Sequence, residues 1–277
     1  MNATPPTLAF IGGGNMARSL IGGLVADQFD ATRIWVADPL VEGLDRLRTE
    51  FGIHTTADNT EAARRADVVI LAVKPQLLHE VCSEIAETIQ STRPLVVSIA
   101  AGVREQEISR WLGGGIAIVR SMPNTPALVQ SGATALYANA LVDSAQRERA
   151  EMVLRSVGIT LWVDREEQLD AVTALSGSGP AYFFLFMEHL ENAARELGLP
   201  AETAHLLTLE TAFGAARMAL SSNEGIAELR RRVTSPGGTT ERALEVFAAG
   251  KLDELVAKAL RAACDRSREL AELFGKQ

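Results

Sequence analysis

The sequence contains few of the residues on which several classes of protein depend. Only two of its 277 residues are cysteines, and they do not form a Cys-x-x-Cys motif. A disulfide scaffold and a cysteine zinc site are therefore excluded. The four histidines show no metal-ligand spacing, so we expect no metal site. Aromatic residues make up only 5% of the chain, which leaves Ala, Val, Leu and Ile to form the core.

Long apolar segments and positive charge are also scarce. The longest apolar run, Ala181 to Met187, is far too short to cross a bilayer. The charged and apolar regions of a signal peptide are missing before the first predicted strand. A formal net charge of −8 argues against binding to nucleic acid or to an anionic membrane, because both require Lys and Arg. We therefore expect a cytoplasmic protein whose partner is a small molecule.

Short apolar runs alternate with longer amphipathic segments over the first part of the chain. The runs show little polar alternation, which is typical of strands buried on both faces. The predicted strands are Leu8–Ile11, Ile34–Ala37, Val68–Val73, Leu95–Ala100 and Ile116–Val119, with further candidates at Ala133–Ala138 and Thr160–Val163. The predicted helices between the first of them are Asn15–Gln28, Leu40–Phe51, Pro75–Ile89 and Glu105–Trp111. Repeated strand–helix units predict a doubly wound parallel sheet.

Helical periodicity replaces the strand signal after about Asp164. The predicted helices are Glu166–Leu175, Pro180–Leu197, Ala201–Ser221, Gly225–Arg232, Thr240–Ala249 and Leu252–Phe274. Segments rich in Gly, Ser and Pro separate most of them. The pattern predicts two domains, an α/β domain over residues 1–163 and an all-α domain over 164–277. The Ala-rich helices of the second domain form either a subunit interface or an intrachain core.

A glycine-rich segment follows the first predicted strand and opens the first predicted helix. Gly12-Gly13-Gly14-Asn15-Met16-Ala17 matches the G-x-G-x-x-A pattern of dinucleotide-binding loops. In that pattern Gly12 permits a tight turn, and Gly14 lets a pyrophosphate approach the helix N-terminus. Asp38 ends the second strand, where an acid either bonds the ribose of NADH or caps the turn at Pro39. The loop therefore predicts a nicotinamide dinucleotide, with NADH favoured and NADPH not excluded.

Other candidate residues lie where predicted strands end, which is the edge at which parallel sheets bind ligands. Lys74 either meets cofactor phosphate or ribose, or is an ordinary exposed lysine. Ala100, Ala101 and Gly102 are small, as a flat nicotinamide or a tight turn requires. Asn124 either bonds the carboxamide or forms an Asx turn.

Two Gly/Ser/Thr-rich segments in the helical half suit a carboxylate. Ser176–Pro180 and Val233–Thr240 expose backbone N–H groups and hydroxyls at helix N-termini, although both are also compatible with simple capped turns. No lysine occurs between Lys74 and Lys251. Related hydroxyacid dehydrogenases use a lysine as the acid beside the developing alkoxide, whereas solvent can protonate a C=N bond before hydride arrives. An imine reductase is therefore favoured over a hydroxyacid dehydrogenase and over a non-catalytic NAD(P)-binding sensor.

The segments taken together resemble pyrroline-5-carboxylate reductase over nearly the whole chain. They are Ile11–Ala17, Ala72–Gln76, Met122–Pro126, Ser176–Tyr182 and Val233–Thr240. The resemblance implies NAD(P)H-dependent reduction of L-1-pyrroline-5-carboxylate to L-proline, the last step of proline biosynthesis. It also implies a Rossmann-type domain followed by a helical dimerisation domain, and a homodimer or a larger ring such as a decamer.

The same resemblance implies a set of site residues. The expected cofactor, NADPH or NADH, contacts Ile11, Gly12, Gly13, Gly14, Asn15, Met16, Asp38, Asn59, Ala72, Val73, Lys74, Pro75, Ile99, Ala100 and Ala101. The expected substrate contacts are Glu166, Ser235, Gly237, Gly238, Thr239 and Thr240. Thr240 is the expected catalytic residue, near the imine nitrogen. Its alternative role is that of a helix N-cap.

Overall fold

The computed structural model describes residues 5–276, which form two compact units. The first unit runs through Ser178 and resumes at Ala262, and the second is Gly179–Arg261. The strands of the first unit are β1 (Leu8–Ile11), β2 (Ile34–Ala37), β3 (His54–Thr56), β4 (Val68–Leu71), β5 (Leu95–Ser98), β6 (Ile118–Met122), β7 (Gly132–Ala138) and β8 (Gly158–Trp162).

Most helices match predicted segments, whereas α3 and α6 were not predicted from the sequence. Those of the first unit are α1 (Asn15–Ala26), α2 (Val41–Phe51), α3 (Asn59–Arg64), α4 (Leu78–Thr92), α5 (Glu105–Trp111), α6 (Ser144–Arg155) and α7 (Gln168–Val172). Those of the second unit are α8 (Gly179–Glu196), α9 (Ala201–Leu220), α10 (Ile226–Arg232) and α11 (Thr239–Ala249). Helix α12 (Leu252–Gly275) contributes residues to both units.

The sheet has the order β3-β2-β1-β4-β5-β6-β7-β8. Strands β1 to β6 are parallel to one another, and β7 runs antiparallel to β6. The predicted Rossmann-type fold is confirmed, but the sheet is not parallel throughout. The strand order reverses at β1, between β2 and β4, and ligands of such sheets bind beyond the strand ends at this switch point.

Strands β1 and β4 bury both faces, as their uninterrupted apolar sequences predict. Leu8 and Phe10 of β1 pack on one face with helix α1 and its neighbours, and Ala9 and Ile11 pack on the other face. All four side chains of β1 are fully buried. The sheet is therefore a rigid base for the loops at its carboxyl edge.

The first compact unit extends beyond the boundary predicted at residue 163. Helix α7 belongs to this unit, and its Leu169 and Asp170 are buried. Glu166, just before α7, forms an ion pair with Arg120 of β6 at 2.6 Å. Periodicity places a helix here correctly, but it does not reveal the polar contacts that attach the helix to the sheet domain.

The second unit exposes many apolar side chains. On α8, Phe183 and Phe184 are 67% and 66% exposed. Leu206 and Phe213 of α9 are also more than half exposed. In residues 5–276, no helix combines the length and the apolar character that crossing a membrane requires.

Candidate active site

The glycine loop between β1 and α1 needs its first glycine for steric reasons. Gly12 has a φ of +103°, and its N–H donates to the carbonyl of Ala37 at 2.8 Å. A Cβ at this position would lie 2.7 Å from the carbonyl oxygen of Ala72. Any side chain here would therefore push apart the two strand ends that flank the switch point.

Gly14, in contrast, faces open space. It is the N-cap residue of α1 with a φ of −71°, and no side chain caps the helix. A Cβ at Gly14 would have no neighbouring protein atom within 4 Å. The first N–H groups of a helix lack intrahelical partners and attract anions. The loop thus fits a pyrophosphate, because it combines free donors with room for an approaching ligand.

A cleft of about 610 Å³ lies beside this helix end. Gly13, Gly14 and Asn15 line it on one side, and α2 contributes Arg46 and Leu47 on the other. The cleft therefore extends from the glycine loop along the helix that follows β2.

Asp38 connects the glycine loop to the end of β2. Its Oδ2 accepts a hydrogen bond from the N–H of Gly13 at 2.8 Å, and its Oδ1 accepts one from the N–H of Leu40 at 2.9 Å. The turn-capping role considered for Asp38 is therefore present. A carboxylate retains further lone pairs, so a bond to a ribose hydroxyl stays a prediction.

The residues after β4 lie next to the glycine loop, because β4 is paired with β1. Lys74 is exposed and begins the short 3₁₀ turn Pro75–Leu77. It forms no salt bridge within the described residues. Asn59 opens α3, and its Nδ2 donates to Glu84 Oε2 at 2.8 Å.

The turn after β5 contains the predicted small residues. Ala100 is 4% exposed, while Ile99 and Ala101 are partly exposed. Gly102 has a φ of +74°, which favours glycine. The backbone of Ile99–Ala101 thus lies at the same sheet edge as the glycine loop, and Ala100 and Ala101 carry only methyl side chains there.

Asn124 does not form the Asx turn considered for it from the sequence, and a bond to the cofactor carboxamide stays a prediction. Its Oδ1 accepts from the N–H of Ala133 at 2.9 Å, and its Nδ2 donates to the carbonyl of Ser176 at 3.2 Å. Thr173–Gly177 forms a π-helical turn rather than an open loop. Asn124 therefore joins two backbone segments of the first unit.

Glu166, expected at the substrate, lies in a buried polar cluster. Its Oε1 accepts from Arg120 Nη1 and from the backbone N–H of Glu105, both at 2.6 Å. Burial lowers the pKa of the Arg120 guanidinium below its ordinary value, and the Glu166 carboxylate opposes that shift. These contacts account for the position of Glu166, and a contact with substrate remains a prediction.

The predicted substrate loop lies in the second unit, at the start of α11. Gly238 is the N-cap residue of α11, so Thr240 is inside the first turn and does not cap the helix. The N–H of Gly237 donates to Glu241 Oε2 at 2.7 Å, and the N–H of Gly238 donates to the carbonyl of Ser235 at 3.0 Å. Two donors expected for the substrate carboxylate are thus already bonded within the protein. Thr239 and Thr240 are exposed.

The structure brings one group of predicted residues together at a single edge of the sheet. Ile11–Met16, Asp38, Ala72–Pro75 and Ile99–Ala101 share the carboxyl edge of the sheet. Ser235–Thr240 belong to the other compact unit. Arg120 was missed by the sequence reasoning, although a charged residue within the apolar run after Ile116 is a visible signal for a buried ion pair.

Two family models match the chain. A model described as pyrroline-5-carboxylate reductase dimerisation matches residues 166–270. A model described as NADP oxidoreductase, coenzyme F420-dependent, matches residues 7–102. The matches cover most of the helical part and the first part of the sheet domain.

Individual relatives match over nearly the full length. A pyrroline-5-carboxylate reductase of Pseudomonas aeruginosa is 54% identical, with 98% of this chain and 99% of the relative covered. The Escherichia coli enzyme of that name is 36% identical over 96% of this chain and 98% of its own length. A solved pyrroline-5-carboxylate reductase from Coxiella burnetii superposes with a TM-score of 0.94 at 50% identity, covering 97% of this chain and 99% of that one. A Plasmodium falciparum pyrroline carboxylate reductase with NADP bound gives a TM-score of 0.84 at 29% identity, covering 96% and 98%.

Proposed function

The chain belongs to the pyrroline-5-carboxylate reductase family, and on that premise we propose which of its residues bind the cofactor and the substrate. The enzyme reduces L-1-pyrroline-5-carboxylate to L-proline with NAD(P)H, in the last step of proline biosynthesis. Bound NAD(P)H supplies the hydride that reduces the C=N bond.

The cofactor site lies at the carboxyl edge of the sheet. The observation that carries this proposal is the open space at Gly14, beside the uncapped N-terminus of α1. The N–H groups of this helix end bind the pyrophosphate, and its partial positive charge favours the phosphates. Asp38 holds the glycine loop in shape through Gly13. Lys74 adds a cation beyond β4, and Ile99–Ala101 provide the backbone against which the nicotinamide lies.

The substrate site is the start of α11. At this helix end the N–H of Gly237 donates to the carboxylate of Glu241, which supports a carboxylate as the ligand. The substrate carboxylate takes the place of Glu241 at the N–H of Gly237, and the hydroxyl of Thr240 orients the ring nitrogen. Solvent protonates the imine, so the chain needs no general acid comparable to a lysine. These residues then contribute to catalysis mainly by orienting the substrate and by complementing its charge.

The active form is a homodimer, or a larger ring such as a decamer, assembled through the second unit. Its exposed apolar side chains on α8 and α9 support this proposal, because monomers rarely expose such large apolar patches. Light scattering at micromolar protein should report at least a dimer, and a fully active monomer would contradict the shared interface. We also propose a cytoplasmic location.

The test is a substrate panel with purified protein. NADPH and NADH are each supplied with pyrroline-5-carboxylate, with pyruvate or with buffer, and the decrease in nicotinamide absorbance is followed. The proposal expects oxidation only with the cyclic imine. Robust turnover of pyruvate without turnover of the imine would favour the ketone-reductase alternative.

A further inference from the structure

The turn after β5 is held by the end of helix α12. A Cβ at Gly102 would lie 3.4 Å from the Cβ of Leu270 and 3.5 Å from Cε2 of Phe274, so both side chains pack directly on this glycine. Phe274 is 8% exposed and belongs to the apolar cluster that includes Ala100 and Val103. The last turns of α12 therefore pack against the turn at Gly102, which is buried.

A buried hydrogen-bonded group fixes the same part of α12. Ser267 Oγ donates to Asp170 Oδ1 at 2.7 Å, and Arg104 Nη2 donates to Asp170 Oδ2 at 2.6 Å. Asp170 and Ser267 are only 4% and 5% exposed. Arg104 is the N-cap residue of α5, immediately after the turn. Asp170 therefore links α12 to the residue at which the turn ends.

A second side chain caps the N-terminus of α5. Arg104 has no side-chain capping bond to the helix, but Glu166 Oε1 accepts from the N–H of Glu105 at 2.6 Å. Glu166 is itself held by Arg120 of β6, also at 2.6 Å. Arg104 and Glu105, where the turn ends, therefore cannot shift without breaking a contact to a carboxylate, and breaking such a contact is costly when it is buried.

We propose that residues 262–275 of α12 position the nicotinamide-facing turn, and that Ser267 is a positioning residue for hydride transfer. The inference rests on the proposed function, because it takes Ile99–Ala101 as the surface on which the nicotinamide lies. Without the Ser267 hydroxyl, Asp170 Oδ1 loses its buried donor and shifts toward other partners. Arg104 and the turn shift with it, so the nicotinamide is held less accurately while the glycine loop is unaffected.

The test compares Ser267→Ala with Ser156→Ala. Ser156 is a matched control, since it is also buried and its hydroxyl also donates within the first unit, to Val153 O at 2.7 Å. Hydrogen exchange in the cofactor-free protein reports the mobility of residues 99–105. Steady-state kinetics give kcat, and titration with ADP-ribose or its phosphorylated form reports binding of the cofactor half that lacks nicotinamide.

We expect exchange over residues 99–105 to become about tenfold faster in Ser267→Ala and to change little in Ser156→Ala. The kcat for imine reduction should fall about three- to tenfold, within the hundredfold that a misplacement of 1 Å can cost. The affinity for the ADP-ribose probe should stay within about twofold. If Ser267→Ala fails to fold, Phe274→Leu takes its place in the test. This variant keeps an apolar side chain, and we expect it to show the same pattern in weaker form.

Unchanged exchange in both variants, or equal acceleration in the control, would overturn the inference. With kcat referred to the concentration of probe-binding protein, an unchanged kcat despite faster exchange would also overturn it, because the turn would then not position the nicotinamide. A wild-type protein that binds no NAD(P)H would overturn the proposed function, and the exchange data would then show separately whether α12 holds the turn.

Discussion

Two glycines of the loop after β1 should respond in opposite ways to substitution. Gly12 has a positive φ and a backbone carbonyl 2.7 Å from any added Cβ, whereas Gly14 has an ordinary φ and no protein atom within 4 Å. Gly14→Val should therefore impair cofactor binding and spare the fold. Gly12→Ala should impair the fold itself.

The magnitudes follow from these distances. A side chain at Gly14 occupies the space through which the pyrophosphate approaches, so NAD(P)H affinity should fall by more than tenfold, or about 1.4 kcal/mol. Exchanging the N-cap glycine for valine costs about 1 kcal/mol of stability or less. At Gly12, left-handed backbone costs about 1–2 kcal/mol and the overlap costs about 1–3 kcal/mol. With about 2–4 °C per kcal/mol, Gly12→Ala should lower Tm by about 4–20 °C.

The assay is a fluorescence titration with NADPH beside a thermal melt of each variant. Gly14→Val should keep a Tm within about 4 °C of the wild-type value and lose affinity for NADPH. Unchanged NADPH affinity in Gly14→Val would refute the placement of the pyrophosphate. A loss of Tm in Gly14→Val as large as that in Gly12→Ala would refute the steric distinction between the two positions.

Three further predictions follow from single side chains. Asp38→Asn keeps an oxygen for the N–H of Gly13 but removes the negative charge that repels the 2′-phosphate of NADPH. The ratio of kcat/KM for NADPH to kcat/KM for NADH should therefore rise, and an unchanged ratio would limit Asp38 to its role in the loop. Thr240→Ala should lower kcat/KM for the imine about ten- to a hundredfold with little change in Tm, because Gly238 and not Thr240 is the N-cap; near-normal kinetics would remove Thr240 from the site. Burial raises the pKa of Cys82 to about 12, so its thiol should resist alkylation at about pH 8 until the protein unfolds, and rapid labelling of the native protein would contradict this.

Apolar patterning was sufficient to predict most of the fold. Leu8–Ile11 and Ile34–Ala37 are strands with the predicted bounds, because fully buried parallel strands consist of uninterrupted apolar residues. Strand β3 (His54–Thr56) was missed, since a short polar strand at the edge of a sheet has no such signature. The antiparallel direction of β7 was also missed, because an apolar run does not specify its direction.

The site was predictable only where a motif is local in sequence. The glycine loop lies within six residues, and its constraints at Gly12 and Gly14 follow from the motif. The pairs Arg120–Glu166 and Arg104–Asp170 join residues 46 and 66 positions apart, so no local pattern reveals them. The hydrogen bond from Gly237 to Glu241 is local, but a glycine followed by an acid four residues later is too common to be diagnostic.

Isotope transfer tests the central claim most directly, namely that this chain transfers a nicotinamide hydride to the carbon of a cyclic imine. The reaction is run with NADPH deuterated at the transferred position, and the product is analysed by mass spectrometry and NMR. The account predicts L-proline carrying one deuterium at C5, the former imine carbon. Proline without deuterium, or label at another carbon, would contradict it.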